Sequence, residues 1–281
     1  MNIAVVVTTY NRPDALSAVL NGFRDQRDQE FELIVADDGS TVDTRAVVER
    51  FRGDCPFPVR HVWQEDQGFR AAAVRNRAVA STTADYIIFV DGDCVPSMDF
   101  VRAHRRLAER GFFLGANRVL LSPALTQEVL AMGLSIHRWR WRDWVQAWFT
   151  RKVNRVLPLM TLPDGGFRKW HPGRWQGIKT CNLSLWRSDL VRVNGLDEAY
   201  EGWGLEDSDL VIRLINAGLR HKSARFAAPV FHLWHPEQNR TGLPGNKARL
   251  EALLQSKASR SSMGFDQYGR PDEGRTGLRK V

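Results

Sequence analysis

"YIIFVDGDC", Tyr86 to Cys94, decides the reading of this chain: five apolar residues run into two aspartates around a glycine. A short, unbroken apolar run bounded by turn residues reads as a strand buried on both faces, the habit of parallel sheets. Working back toward the N-terminus, strand and helix signals alternate. "FRAAAVRNRAVAS" from Phe69 is an Ala-rich helix, and "VRHVWQE" from Val59 is a strand. A helix is expected at about Val42 to Phe51, and Phe31 to Ala36 is another strand, ended by "DDGS". At the start, Ile3 to Thr8 is a strand. Pro13 then opens a helix in which Ala15, Leu16, Val19, Leu20 and Phe23 recur at helical spacing. This alternation predicts an α/β fold, a parallel sheet with right-handed crossovers. Ligands of such sheets gather at the carboxyl ends of the strands. "TTYNRP" from Thr8, "DDGS" from Asp37 and "DGD" from Asp91 should therefore converge in space.

Bulk properties set the frame. The chain has 281 residues, 43% hydrophobic and 26% charged, an ordinary composition for a soluble globular protein. No run of 18 apolar residues is present, so no spanning helix is expected. "MNIAVVVTTYNRP" lacks the basic start and cleavage site of a signal peptide. Cys55, Cys94 and Cys181 are odd in number and far apart, which excludes a disulfide framework and a zinc pattern. A cytoplasmic location is expected, with peripheral attachment to the inner face of the plasma membrane as a variant. The net charge of +8 and pI near 9.8 point to an anionic partner: nucleic acid, anionic lipid or a phosphorylated substrate.

The middle of the chain differs from the first hundred residues. From His137 to Trp175 there are six of the ten tryptophans, and nine Arg or Lys against two Asp. "HRWRWRDWVQAWFTRKVNRVL" reads as a helix, either packed on the sheet or laid in a membrane interface, where Trp and basic residues are both favoured. "TLPDGGFRKWHPGRWQG" reads as a mobile loop, and "IKTCNLSLWRSDLVRVNGLDEAY" as a strand and short helix. From Thr241 the chain carries eight basic and four acidic residues and is expected to be a weakly ordered basic tail, 241–281.

The strand-end clusters carry the chemistry. Asp91 and Asp93 supply hard oxygen ligands suited to Mg²⁺ or Mn²⁺ bridging to phosphates. Asp-Gly is also a common turn dipeptide, but its place at a strand end favours a site. In "DDGS" the acids either cap the next helix or accept hydrogen bonds from a base or ribose, through Asp37 or Asp38. Further on, "YEGWGLEDSDL" places Glu206, Asp207 and Asp209 after Trp203, which is flanked by Gly202 and Gly204. Leu210, Val211, Leu214 and Ile215 continue as one face of a helix. Carboxylates at a helix N-terminus meet exposed N–H groups and a partial positive charge worth roughly 0.3–1 kcal/mol. Simple N-capping, with Trp203 packed inside, is the plainer alternative.

In this order and spacing, "VVVTTYNRP", "LIVADDGS", "GFRAAAVRNRA" and "IIFVDGDCVP" resemble the family 2 glycosyltransferases of the GT-A fold. "GWGLEDSDL" resembles the acceptor-side motif of galactosyl- and N-acetylgalactosaminyltransferases. The resemblance spans roughly residues 1–240. It implies the nucleotide-diphospho-sugar transferase fold: a Rossmann-like, mostly parallel central sheet flanked by helices. Residues 1–115 would form the nucleotide-sugar-binding half and 116–240 the acceptor-binding half. It also implies a UDP-sugar donor (Gal, GalNAc, Glc or GlcNAc), a divalent metal (Mn²⁺ or Mg²⁺), and inverting transfer to a hydroxyl of a glycan or glycolipid in cell-surface polysaccharide or lipopolysaccharide synthesis.

Carried over by position, the resemblance puts Thr8, Tyr10 and Arg12 around the uridine and Asp38 on the uracil. Asp93 becomes the direct metal ligand, with Asp91 on the ribose or a second metal contact. Arg70, Arg75 and Asn76 fall near the nucleotide. Lys179, Thr180 and Asn182 would line the donor-sugar pocket, and His171 and Arg174 would close over the diphosphate. Asp207 is the implied catalytic base. Glu206, Trp203 and Gly204 would bind the acceptor, Glu206 through sugar hydroxyls and Trp203 as an apolar plate for a ring. Asp209 would only hydrogen-bond. His232 and His235 are both candidates for a histidine ligand.

Two other readings bound this one. A retaining transferase of similar fold is the nearest chemical alternative. Arginine interleaved with tryptophan also fits single-stranded nucleic acid, but the acid clusters would repel phosphate without a metal, which disfavours that partner. Nothing in the sequence sets an oligomeric state.

Overall fold

The computed structural model describes residues 1–236 and 240–269. The first part follows the expected alternation: β1 (Ile3–Thr9), α1 (Pro13–Arg24), β2 (Phe31–Asp37), α2 (Val42–Gly53), β3 (Val59–Trp63), α3 (Ala71–Ala80) and β4 (Tyr86–Asp91). Then come β5 (Cys94–Pro96), α4 (Phe100–Leu107), β6 (Phe112–Gly115), β7 (Arg118–Leu120), α5 (Pro123–Met132) and α6 (Trp141–Phe149). The last part holds β8 (Asn182–Trp186), α7 (Arg187–Arg192), α8 (Glu206–Asn216), β9 (Arg220–Ser223), β10 (Val230–His232) and α9 (Leu243–Ser256).

Among the described residues, seven strands form the main sheet in the order β3-β2-β1-β4-β8-β6-β9. Pairing is parallel except at β8, which runs antiparallel to both β4 and β6. The chain moves from β1 outward to β3 and returns to β4, so the topology switches between β1 and β4, where open α/β sheets bind ligands. Register does the rest: Thr8 stands opposite Asp91, and Thr9 opposite Asp37.

Both faces of the sheet are covered. Ile3, Val5 and Val7 point into one apolar cluster, Ala4 and Val6 into the other. Each fully buried Val, Leu or Phe in such a core contributes about 1.5–3 kcal/mol. Helix α3 is Ala-rich because it lies against the sheet with little room: Arg77 is the exposed residue in its middle, while Arg75 and Asn76 are buried.

A small sheet, β5-β10-β7, sits beside the strand ends, and its register places His232 opposite Cys94. Three-residue strands like these carry too little periodicity to be read from sequence.

Three expectations need correcting. The Trp-rich helix is short, and it splits its aromatics: Trp144 is buried and stacks on Phe231 at 4.3 Å, while Trp141, Trp148 and Phe149 are exposed. The segment read as a mobile loop is pinned by Arg168. That side chain is 1% exposed and donates to the carbonyls of Leu162, Pro163, Ser223 and Arg225. The tail is not weakly ordered between 243 and 256. It forms α9, whose Leu250 and Leu253 pack with Ile212 of α8, and Phe265 enters the core. Its charges face outward and its few leucines sit on one side, so composition was a poor guide. The remainder of the tail, 270–281, lies outside the described residues.

Candidate active site

At the carboxyl ends of β1, β2 and β4 opens a cavity of about 470 Å³. Thr8, Tyr10, Arg12, Asp38, Arg75, Asp91, Asp93 and His235 line it, along with Phe69. The three strand-end clusters thus converge. Gly92 explains part of the fit: a Cβ there would stand 3.0 Å from the Thr8 carbonyl, which accepts the Gly92 N–H at 2.7 Å. Tyr10 donates its hydroxyl to Asp66, and Arg12 pairs with Asp14 at the rim. Asp38 is buried and accepts from Gln64 at 2.6 Å and from the Arg70 backbone N–H at 2.7 Å. Burial still raises its pKa above the usual carboxylate value. Its neighbour Asp37 serves the fold instead, accepting from Ser40 N–H and meeting His61 Nε2 at 2.9 Å.

Arg75 is the hub. Its guanidinium donates to Thr8 Oγ1 at 3.0 Å, Asp91 at 2.9 Å and Glu206 at 3.2 Å. Burial opposes its charge, but Asp91, Glu206 and Asp207 outweigh that and hold its pKa above the usual value. The two carboxylates feel the reverse. Burial, then Asp93 and Asp207, push Asp91 up against the pull of Arg75. Burial and Asp207 do the same to Glu206. One buried cation therefore ties the Asp91–Asp93 loop to the head of α8, where Glu206 lies 131 residues from Arg75 in sequence.

Among the described residues, Asp93 pairs with no arginine. Its Oδ2 lies 3.3 Å from His235 Nε2 and 3.7 Å from His232 Nε2. Donors held about 2.1 Å from one ion stand at most about 4.2 Å apart, so either histidine is close enough to share a divalent cation with Asp93. Burial keeps His232 below its usual pKa despite Asp93, leaving a neutral ring with a free lone pair. Cys94, behind Asp93, is buried, and burial raises its thiol far above the usual value, so it offers no thiolate. His235 lines the cavity and His232 backs it, which separates two histidines that the sequence left equivalent.

The loop before α8 adjoins the cavity at Phe69, and neither Trp203 nor Asp207 is part of the cavity lining itself. Gly202, Gly204 and Leu205 all have positive φ, +73°, +105° and +80°. For Leu205 this left-handed conformation costs about 1–2 kcal/mol, and the surroundings hold it. Gly202 N–H donates to the carbonyl of Phe69, a cavity residue, while Asn246 of α9 donates to the carbonyls of Glu201 and Gly204. Asp207 sits in the first turn and accepts from Ser208 N–H at 2.7 Å, with Lys179 Nζ 3.3 Å away. Trp203 is 36% exposed, with Arg240 5.1 Å over its ring.

Several residues read from the resemblance stand elsewhere. Asn182 is buried and donates to the carbonyls of Asn117 and Ala228, so it braces the fold at the start of β8. Thr180 is buried beside it and outside the cavity lining. Lys179 faces Asp207 and not the main cavity. Arg70 contributes its backbone N–H, while its side chain turns to the Glu65 carbonyl. Asn76 points away and clamps Leu196 and Glu198. His171 and Arg174 line a different cavity. Glu206 is turned inward to Arg75, so it is not an open acceptor contact. Asp209 pairs with Arg213 at 2.6 Å inside α8, a hydrogen-bonding role as expected. Phe69 and Asn246 were missed. Phe69 had a signal, an aromatic next to a glycine ahead of α3; Asn246 had none short of the tertiary contact.

The profile described as glycosyl transferase family 2 matches residues 4–144, the part that holds Thr8, Asp38, Arg75 and both acids of the Asp91–Asp93 loop. The chain belongs to glycosyl transferase family 2. A second profile, the N-terminal domain of galactosyltransferase, matches residues 166–236 and so reaches across Asp207, His232 and His235. Among curated family relatives, validoxylamine A glucosyltransferase of Streptomyces hygroscopicus subsp. jinggangensis is 30% identical over 230 residues, covering 77% of this chain and 52% of that protein. The chain thus spans about half the length of that relative. In fold, it is similar to S. aureus TarS 1–349 in complex with UDP-GlcNAc, with a TM-score of 0.59 and 14% identity over 95% of this chain and 69% of that one. The mannosyltransferase PcManGT of Pyrobaculum calidifontis, in complex with GDP-Man and Mn²⁺, gives 0.56 and 18% over 90% and 63%. The central sheet and its layers are those of the GT-A fold.

Proposed function

We propose that the chain is an inverting, metal-dependent glycosyltransferase. It moves a hexose (Gal, GalNAc, Glc or GlcNAc) from a UDP-sugar to a hydroxyl of a glycan or glycolipid. The observation that supports this best is the Arg75 bridge, which joins Asp91 to Glu206, the residue before Asp207. The reading is supported by the family membership and by the nucleotide-sugar complexes of the structural neighbours.

In this scheme Asp38, Tyr10, Thr8 and Arg12 surround the nucleoside, with Phe69 forming the cavity wall. Asp93 with His235, backed by His232, would hold Mn²⁺ or Mg²⁺; Asp91, engaged by Arg75, orients the loop. A cation held there would supply charge to offset the diphosphate and Lewis acidity toward the leaving UDP. Trp203 supports the acceptor ring. Asp207 takes the proton of the acceptor hydroxyl as its oxygen bonds to the anomeric carbon. The bond to the diphosphate oxygen breaks on the far face, and UDP leaves with the electron pair. Lys179 and the Ser208 N–H contact the Asp207 carboxylate and fix its orientation.

The test is UDP release from a panel of UDP-sugars with Mn²⁺. Asp207→Asn is expected to lower turnover by about 10²–10⁴-fold while UDP still binds. Full activity in that variant removes Asp207 as the base. NMR of the product anomer separates inversion from retention.

A second proposal concerns location. Trp141, Trp148, Phe149, Leu157 and Met160 are exposed, Trp148 and Phe149 with ring centroids 5.0 Å apart, among Arg140, Arg142, Arg151 and Lys152. Among the described residues no helix is long and apolar enough to cross a membrane. Aromatics beside basic residues fit a peripheral contact with anionic lipid. Failure of the protein to float with anionic liposomes would remove this reading.

A further inference from the structure

Strands β6 and β9 run parallel to β4, so Gly115 and Ser223 end on the same rim of the sheet as Asp91. A second cavity, about 120 Å³, opens there. It holds a small group and is too small for a nucleoside, since pockets for whole ligands run to roughly 300 Å³ and above. Its basic lining is Arg168, His171, Arg174, His221 and Arg225, and among the described residues no carboxylate lines it. Arg168 is spent on backbone carbonyls. Arg174 and Arg225 are exposed at the mouth, and among the described residues neither makes an ion pair. Like charges gathered without a counter-ion cost free energy, and burial, then Arg174, lower the Arg225 pKa.

His221 adds an independent sign. It is 7% exposed, and its Nε2 is buried without a hydrogen-bond partner. An orphaned buried polar atom costs about 1–3 kcal/mol. Burial drives this imidazole down to about 4, against the pull of the His171 and Gly115 backbone. At Gly115 a Cβ would stand 3.3 Å from that nitrogen, so a larger residue there would crowd the imidazole.

We infer that this cavity is an anion site, which takes one carboxylate, sulfate or phosphate group carried by the acceptor saccharide. The placement argues for the acceptor. The cavity lies two strands beyond β4, about 10 Å at the usual spacing. Gly177 and Ile178 line it, and the next residue, Lys179, contacts Asp207. A saccharide with its hydroxyl at Asp207 would extend along this wall into the cavity. The acceptor assignment rests on the transferase reading; anion binding does not.

Sodium sulfate is titrated into the full chain at constant ionic strength, with the His221 imidazole and arginine Nε signals followed by NMR. Saturable shifts are expected, weakened about tenfold in Arg174→Gln/Arg225→Gln through loss of charge-assisted hydrogen bonds. Both arginines are exposed, so the double variant keeps the fold. Shifts that do not saturate, or that are equal in the variant, overturn the anion site. The same signals then report uronate, sulfated and phosphorylated disaccharides, each against its neutral parent. Tighter binding of the acidic member, lost in the double variant, supports the acceptor assignment. Sulfate binding without that preference overturns it and leaves a free anion as the occupant. Because these readouts need no turnover, failure of the UDP-sugar assay would remove the transferase reading separately.

Discussion

Replacing Arg75 by Met tests the centre of the site. The guanidinium is buried and bonded to Asp91 at 2.9 Å and Glu206 at 3.2 Å. Met keeps most of the stem and removes the charge. Removing one partner of a buried ion pair costs about 3–5 kcal/mol. The chain can cap that loss by protonating a carboxylate. From an ordinary pKa near 4, neutralising one at pH 7 costs about 4 kcal/mol, at 1.36 kcal/mol per unit. At pH 5 the same step costs about 1.4 kcal/mol. Asp91 and Glu206 are already raised in the folded protein, and the variant moves them higher. For such groups the stability is present below the unfolded-state pKa and is lost as pH rises through the folded one. The penalty must therefore grow with pH. With unfolding entropy near 0.6 kcal/mol/K for a chain of this size, Tm should fall by about 7 °C at pH 7 and about 2 °C at pH 5, relative to the parent. Thermal melts followed by circular dichroism, with chelator present, measure it. Adding Asp91→Asn should recover part of the pH 7 loss. A drop that is the same at both pH values, or larger at pH 5, would refute the reasoning.

Two further outcomes follow from the geometry. His235→Ala should weaken Mn²⁺ binding at least about tenfold by calorimetry, and His232→Ala should also weaken it, since both rings face Asp93; unchanged affinity in both places the metal elsewhere. Asn246→Ala removes two hydrogen bonds to the loop before α8. It should cost about 1–3 kcal/mol of stability and raise the acceptor KM with UDP affinity unchanged; a loss of UDP affinity instead would contradict a role confined to that loop.

Chemistry at the strand ends was legible before the fold was known. An apolar run that stops at Asp91-Gly92-Asp93 is a local signal, and so is Asp37-Asp38 after Phe31 to Ala36. Asp207 at the mouth of α8 was equally visible, because a helix start and an apolar stripe are written within a dozen residues. Roles given to Asn182, Asn76 and Glu206 were misplaced for a common reason. Each points toward a partner far away in sequence, and sequence spacing says nothing of which way a buried polar side chain turns.

By itself, then, the sequence determined the α/β alternation, the two covered faces of the sheet and the kind of atoms offered at its rim. These depend on periodicity and on residue type, which act over a few positions. Only the tertiary structure decided that β8 inserts antiparallel, that three-residue β10 delivers His232 beside Asp93, that α9 braces the loop before α8, and that Arg75 joins the two acid clusters. Those are contacts between segments tens to more than a hundred residues apart, set by packing and by the need of buried charges to find partners.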